Sequence, residues 1–153
     1  MDLGSGAGFD VFMAARKVGD TGMAIGIDMS KDMLARARLN ASKSSITNVR
    51  FVESKITHID LPSYASNCVI SNCVINLVPE QDKHLVFKEI FRILKPGGRV
   101  AVSDILAKKA FPDDMRASIA LYVGCISGAS MVKEYERYLR DAGFEGNLSD
   151  HER

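Results

Sequence analysis

Seven residues near the start of the chain, Asp2-Leu3-Gly4-Ser5-Gly6-Ala7-Gly8, hold its densest chemical signal. Glycines at alternate positions remove Cβ atoms, so that backbone N–H groups can approach a ligand at what reads as a strand-to-helix junction. A dinucleotide turn sets its third glycine five positions after the first. Here that place is Phe9, and the third glycine falls at Gly8, which argues against a nicotinamide dinucleotide. Asp28 ends the next apolar run, where a carboxylate can either accept hydrogen bonds from a ribose or cap the following helix. Met29 beside it is either a lining for an adenine ring or a core residue. Three cysteines, Cys68, Cys73 and Cys125, complete the inventory. A free cysteine packs as a small hydrophobe or serves as a soft thiolate ligand, and position alone does not separate the two. His58, His84 and His151 form no metal-ligand or Cys-His spacing.

The elements that must position these residues follow from periodicity. Apolar runs of strand length alternate with helical stretches, which predicts an α/β fold with a mostly parallel sheet covered on both faces. Residues 24–28, 49–52, 68–73 and 99–104 are expected strands. Expected helices are 9–18, carrying Phe12, Ala15 and Val18 inward, and a second one capped by Ser30 and burying Met33, Leu34 and Ala37. A third, over 80–94, turns Leu85, Phe87, Ile90, Phe91 and Leu94 to the core and closes at Pro96-Gly97-Gly98. Two more fall near 113–122 and 131–142, with Gly143 as the C-cap of the second.

Of the 153 residues, 46% are hydrophobic, enough for one domain core. Twenty basic residues against nineteen acidic ones, with no basic stripe, make nucleic acid a poor first expectation. The longest apolar runs, broken by Ser71, Asn72 and Asn76, fall far short of a membrane span. An odd cysteine count without a secretory signal points to thiols in a reducing compartment and a cytoplasmic setting. Both ends look cut: the strand feeding the glycine turn has at most three residues, and only a short polar tail follows Phe144. The expectation is a single, incomplete domain over 1–153 whose shortened first strand weakens the core.

The glycine spacing fits the G-x-G-x-G turn of S-adenosylmethionine enzymes, whose cofactor has no pyrophosphate to cradle. The succession of DLGSGAG, GIDMS, SNCVINLVP, LKPGGRV followed by SD, and YVGCISGA over nearly the whole chain resembles the arsenite methyltransferase family. That resemblance implies a Rossmann-like class I methyltransferase fold. It implies a cofactor pocket using Asp2, Gly4, Gly6, Gly8, Asp28 and Met29, with Cys73 and Cys125 as ligands of trivalent arsenic, the substrate. In open α/β sheets ligands bind beyond the carboxyl ends of the strands at the switch point, where Cys73 is expected. Thiolate is the soft donor that suits arsenic(III), and sulfur ligation leaves the arsenic lone pair free to take a methyl group from the sulfonium in line.

Cys68 lies an odd number of residues before Cys73 on one predicted strand, so it is expected to face away as a core thiol. Asn72 and Asn76 are candidates to hold the substrate loop and to cap the next helix, and Tyr122 reads as core. The chain departs from the family in lacking cysteines before the glycine turn, so two thiolates leave a third donor to come from a small thiol such as glutathione. Asn67 replaces the usual acid, and Glu53-Ser54-Lys55-Ile56 replaces a glycine-containing loop near adenine. Two other readings fit the same residues: another small-molecule methyltransferase, or a degenerate binding protein without catalysis.

Overall fold

A computed structural model of the chain describes residues 1–109 and 128–145. The expected helix near 113–122, Tyr122, Cys125 and His151 lie outside the described residues.

Five strands form one parallel sheet in the order β3-β2-β1-β4-β5. They are β1 (Asp2–Leu3), β2 (Ala24–Asp28), β3 (Val49–Glu53), β4 (Ser66–Asn72) and β5 (Leu94–Ser103). The α/β class I methyltransferase architecture expected from the sequence is therefore the one observed. Only two residues long, β1 still sits at the centre, pairing Asp2 and Leu3 with Gly26 and Ile27 on one side and with Ile70 and Ser71 on the other. The Ile70 amide donates to the Met1 carbonyl at 2.8 Å, extending that seam. The chain leaves β1 toward β2 and later returns toward β4, so the topological switch lies between the carboxyl ends of β1 and β4.

Helices cover both faces. On one, α1 (Phe9–Val18) and α2 (Lys31–Lys43) pack Val11, Ala15, Leu34 and Ala37 against Ala24 and Phe51. On the other, α3 (Lys83–Ile93) and α4 (Val132–Ala142) enclose Leu3, Ile27 and Val69. Ser30 caps α2 as expected, its Oγ accepting from the Met33 amide at 3.3 Å. Gly143 ends α4 in the left-handed region at φ 103°.

Several inward-facing assignments are corrected. Met33, Val18, Leu85 and Phe91 are exposed, and Val11, Val86 and Ile93 take the buried places. Ala15, Leu34, Ala37, Phe87, Ile90 and Leu94 are buried as expected, and at the edges of each face the sheet selects which neighbouring apolar residue is covered. Helix α3 begins at Lys83 after a 3-10 turn over Glu80–Asp82 and ends at Ile93, before the Pro-Gly-Gly segment. That segment instead bulges out of β5, since Ser66 pairs with Leu94 while Cys68 pairs with Arg99.

Candidate active site

The glycine turn leaves β1 with Gly4, Gly6 and Gly8 all in the left-handed region, at φ 67°, 51° and 94°. Side-chain-bearing residues resist that conformation, and so the turn requires its glycines. Gly4 is also crowded: a Cβ there would stand 2.5 Å from Val74 Cγ2. Asp28, at the end of β2, clasps the turn, Oδ2 accepting from the Gly6 amide at 2.9 Å and Oδ1 from the Ser30 amide at 2.8 Å. It thus serves both the turn and the start of α2. A carboxylate has about four acceptor sites, so lone pairs remain on it for ribose hydroxyls. Met29 is largely exposed, which removes its core alternative.

Asp2 is buried on β1, and burial, followed by the charges of Asp10 and Asp28, pushes its carboxyl up to about 7. Asp2 and Asp10 line a cleft of about 250 Å³ with Ser71, Asn72 and Ser103 at the carboxyl end of the sheet. Asp10 and Asp28, with Asp2 only partly ionised at neutral pH beside them, give the turn a negative charge that repels a pyrophosphate and attracts a cation. S-adenosylmethionine carries an ammonium and a sulfonium, and has no phosphate. The residues present fit that cofactor.

Cys73 lies one residue past the end of β4, exposed, with φ at 55°. Its amide donates to the Ser103 carbonyl at 2.9 Å, which ties the turn after β4 to the end of β5. The expectation that Cys73 belongs to the strand is corrected, and with it the alternation that was to turn Cys68 away: the pleat ends before Cys73 is reached. Cys68 is half-buried, short of the fully packed core thiol expected. Asn72 is exposed at the cleft, while Asn76 is wholly buried and does not cap a helix. Instead its Nδ2 donates to the Ile105 carbonyl at 2.7 Å, a second stitch between the two strand ends. Asp104 ties the end of β5 to α4 instead, receiving the Tyr135 hydroxyl at 3.1 Å. Burial raises the Asp104 carboxyl, partly offset by that bond and by the Ile75 amide.

Sequence reading missed a set of polar residues behind the Cys73 turn. Lys83 is wholly buried, bonded to Glu80, Ser130 and the Gly128 carbonyl. A charged residue at a helix start reads as surface, and its partners lie far along the chain, so no local signal announces it. Among the described residues, no three His, Cys, Asp or Glu side chains converge as a metal site, and no helix is long and apolar enough to cross a membrane.

Comparison with known proteins bears on these features. A methyltransferase domain family matches residues 1–143. The arsenite methyltransferase of Halobacterium salinarum is 46% identical over 145 residues, which are 95% of this chain and 37% of that protein. The crystal structure of an arsenic(III) S-adenosylmethionine methyltransferase from Chlamydomonas reinhardtii superposes with a TM-score of 0.83 at 34% identity, covering 93% of this chain and 50% of that one. A demethylmenaquinone methyltransferase of Lactococcus lactis is 33% identical over 100 residues, 65% of this chain and 39% of that protein. The chain thus spans half or less of the length of each of these relatives.

Proposed function

Because the chain belongs to the methyltransferase domain family, we propose that the polypeptide containing it transfers methyl groups from S-adenosylmethionine to trivalent arsenic held by Cys73 and Cys125. The observation that carries this reading is Cys73 itself. An exposed thiol sits just beyond β4, beside the topological switch and next to the acidic cleft, in a backbone conformation that a cysteine does not favour. The similarity supports it further, since the arsenite methyltransferase match runs over 95% of the chain and the quinone-precursor methyltransferase match over 65%.

Bound S-adenosylmethionine supplies an electrophilic methyl on its sulfonium. Asp28 and the glycine turn would hold the ribose, Asp2 and Asp10 would meet its cationic groups, and Met29 would line the adenine. The Cys73 thiol condenses with an As–OH group, forming an As–S bond and releasing water, and Cys125 does the same. A small thiol such as glutathione is the third donor. Thiolate ligation leaves the arsenic lone pair free to take that methyl, with S-adenosylhomocysteine as the leaving group, so proximity and alignment would replace a general base. The setting that fits is a cytoplasmic enzyme of arsenic detoxification.

The test is methylated-arsenic production and arsenite binding by the intact polypeptide. Cys73→Ser and Cys125→Ser exchange a soft donor for a hard one at nearly constant volume, and each is expected to lower methylation roughly a hundredfold or more with cofactor affinity unchanged. Cys68→Ser should affect chiefly stability, by less than about 2 kcal/mol for a half-buried group. Undiminished methylation in Cys73→Ser would overturn the reading.

A further inference from the structure

Asp2 on β1 and Asp28 on β2 lie on neighbouring strands, and their carboxyls differ in one respect. Asp28 accepts from two backbone amides, those of Gly6 and Ser30. Among the described residues nothing donates to the Asp2 carboxyl, although Asp2 is only 4% exposed. A buried carboxylate without a partner is costly, and the group lowers that cost by keeping its proton. The charges that face it come from three places. Asp10 presses from α1 and Asp28 from β2, while the Met1 ammonium on its own strand pulls the other way. From β4 the facing residues are Ile70 and Ser71, neither of which titrates. Burial is the largest influence, and the carboxyl is pushed up to about 7. In a longer polypeptide an amide in place of the Met1 ammonium would remove the opposing pull and leave that direction unchanged.

The same carboxyl lines the cleft of about 250 Å³ together with Asp10. A buried acceptor with no donor, in a cleft shared with a second carboxyl, is half of a cation site. S-adenosylmethionine carries an ammonium and a sulfonium against one carboxylate, a net positive charge. Loss of the methyl leaves the bonding pair on sulfur, so S-adenosylhomocysteine is a thioether with no net charge. The two ligands thus differ by one methyl and one positive charge. Beside a cation an ionised Asp2 is the better partner. Beside a neutral group its proton is retained more readily, because Asp10 and Asp28 already oppose a further negative charge.

We propose that Asp2 sets the preference of this pocket for cofactor over product by exchanging a proton: it releases its proton when S-adenosylmethionine binds, and releases less of it when S-adenosylhomocysteine binds. The inference rests on the reading that Asp2 meets the cofactor. Because the ionised form holds the cation, affinity for S-adenosylmethionine is full above the pKa of the empty site and is lost as pH falls below it. The preference for cofactor over product falls in the same direction.

Calorimetry of the intact polypeptide, titrated in two buffers of different ionisation enthalpy, counts the protons exchanged on binding. S-adenosylmethionine should release about half a proton at neutral pH, and S-adenosylhomocysteine clearly less. Affinity for S-adenosylmethionine should fall roughly tenfold from about pH 7 to about pH 5.5, and affinity for S-adenosylhomocysteine less steeply. Asp2→Asn should abolish the release and flatten the pH dependence. Where Asp2→Asn fails to fold, Asp10→Asn relieves one repulsion and should move the midpoint of the pH dependence downward. An unmoved midpoint in Asp10→Asn would overturn the proposal, and so would equal proton release by the two ligands. Binding that releases no proton in the parent, yet weakens in Asp2→Asn, would overturn the proton exchange and keep the contact. Parental affinity and parental proton release in Asp2→Asn would instead overturn the reading that Asp2 meets the cofactor.

Discussion

The turn after β1 and the turn after β4 stand side by side at the carboxyl end of the sheet, yet they are built by different means. The first is made of backbone: three glycines in the left-handed region, clasped by the Asp28 carboxylate. The second is made of side chains and distant segments: Cys73 bonded to the end of β5, Asn76 to Ile105, and behind them the Lys83 network reaching α4 and Ser130. The turn proposed to hold the cofactor is thus written in residue types at fixed spacing. The turn proposed to bind substrate depends on relations between segments far apart in the chain.

If the two turns divide the work in this way, variants in one should leave the other's ligand alone. Asp28→Ala is the most severe test on the cofactor side. It removes the clasp on Gly6 and the ribose acceptor together, and calorimetry should show a loss of roughly 1.5–3 kcal/mol in S-adenosylmethionine binding, with arsenite binding preserved. An equal loss for arsenite would break the division. Gly4→Ala probes the seam between the turns. Its Cβ would meet Val74 at 2.5 Å and force a left-handed alanine, so both ligands should weaken and the fold should lose about 1–3 kcal/mol in a denaturant melt. Retention of either affinity would show that the seam yields more easily than its geometry implies.

The smallest effect is electrostatic. Burial and the neighbouring Asp10 hold the Asp2 carboxyl up at about 7, above its value in an unfolded chain. The stability this group contributes is therefore full below about pH 4 and is lost as pH rises through 7. Without cofactor, the melting temperature should fall by about 3 °C or more across that window, and Asp2→Asn should flatten the slope. A slope that survives in Asp2→Asn would assign it to another group.

The same contrast explains what could be read from the sequence. Glycine spacing, the Asp28 carboxylate at a strand end and the Ser30 cap act over a few residues, and each was legible because local chemistry decided it. Helix faces were legible through Ala15, Leu34, Ala37, Phe87 and Ile90 but not at their edges, as Leu85 and Val86 are equally apolar and the sheet decides which is buried. The end of β4 was missed because the residue with positive φ just after Asn72 is neither glycine nor asparagine. A cysteine takes up the positive φ there, held by the hydrogen bond its amide donates to the Ser103 carbonyl, some thirty residues away. Lys83 was missed for a related reason: its burial is a property of Ser130 and Gly128, which no reading of α3 alone contains.

The left-handed backbone at Cys73 has a consequence for any attempt to harden this protein. A cysteine at φ 55° costs about 1–2 kcal/mol that glycine would not incur. A library screened for heat resistance alone would therefore drift at position 73 toward glycine or asparagine and discard the thiol. On the proposed role of that thiol, position 73 is where selection for durability and selection for chemistry pull in opposite directions, and thermostable variants should be sought with that codon held fixed.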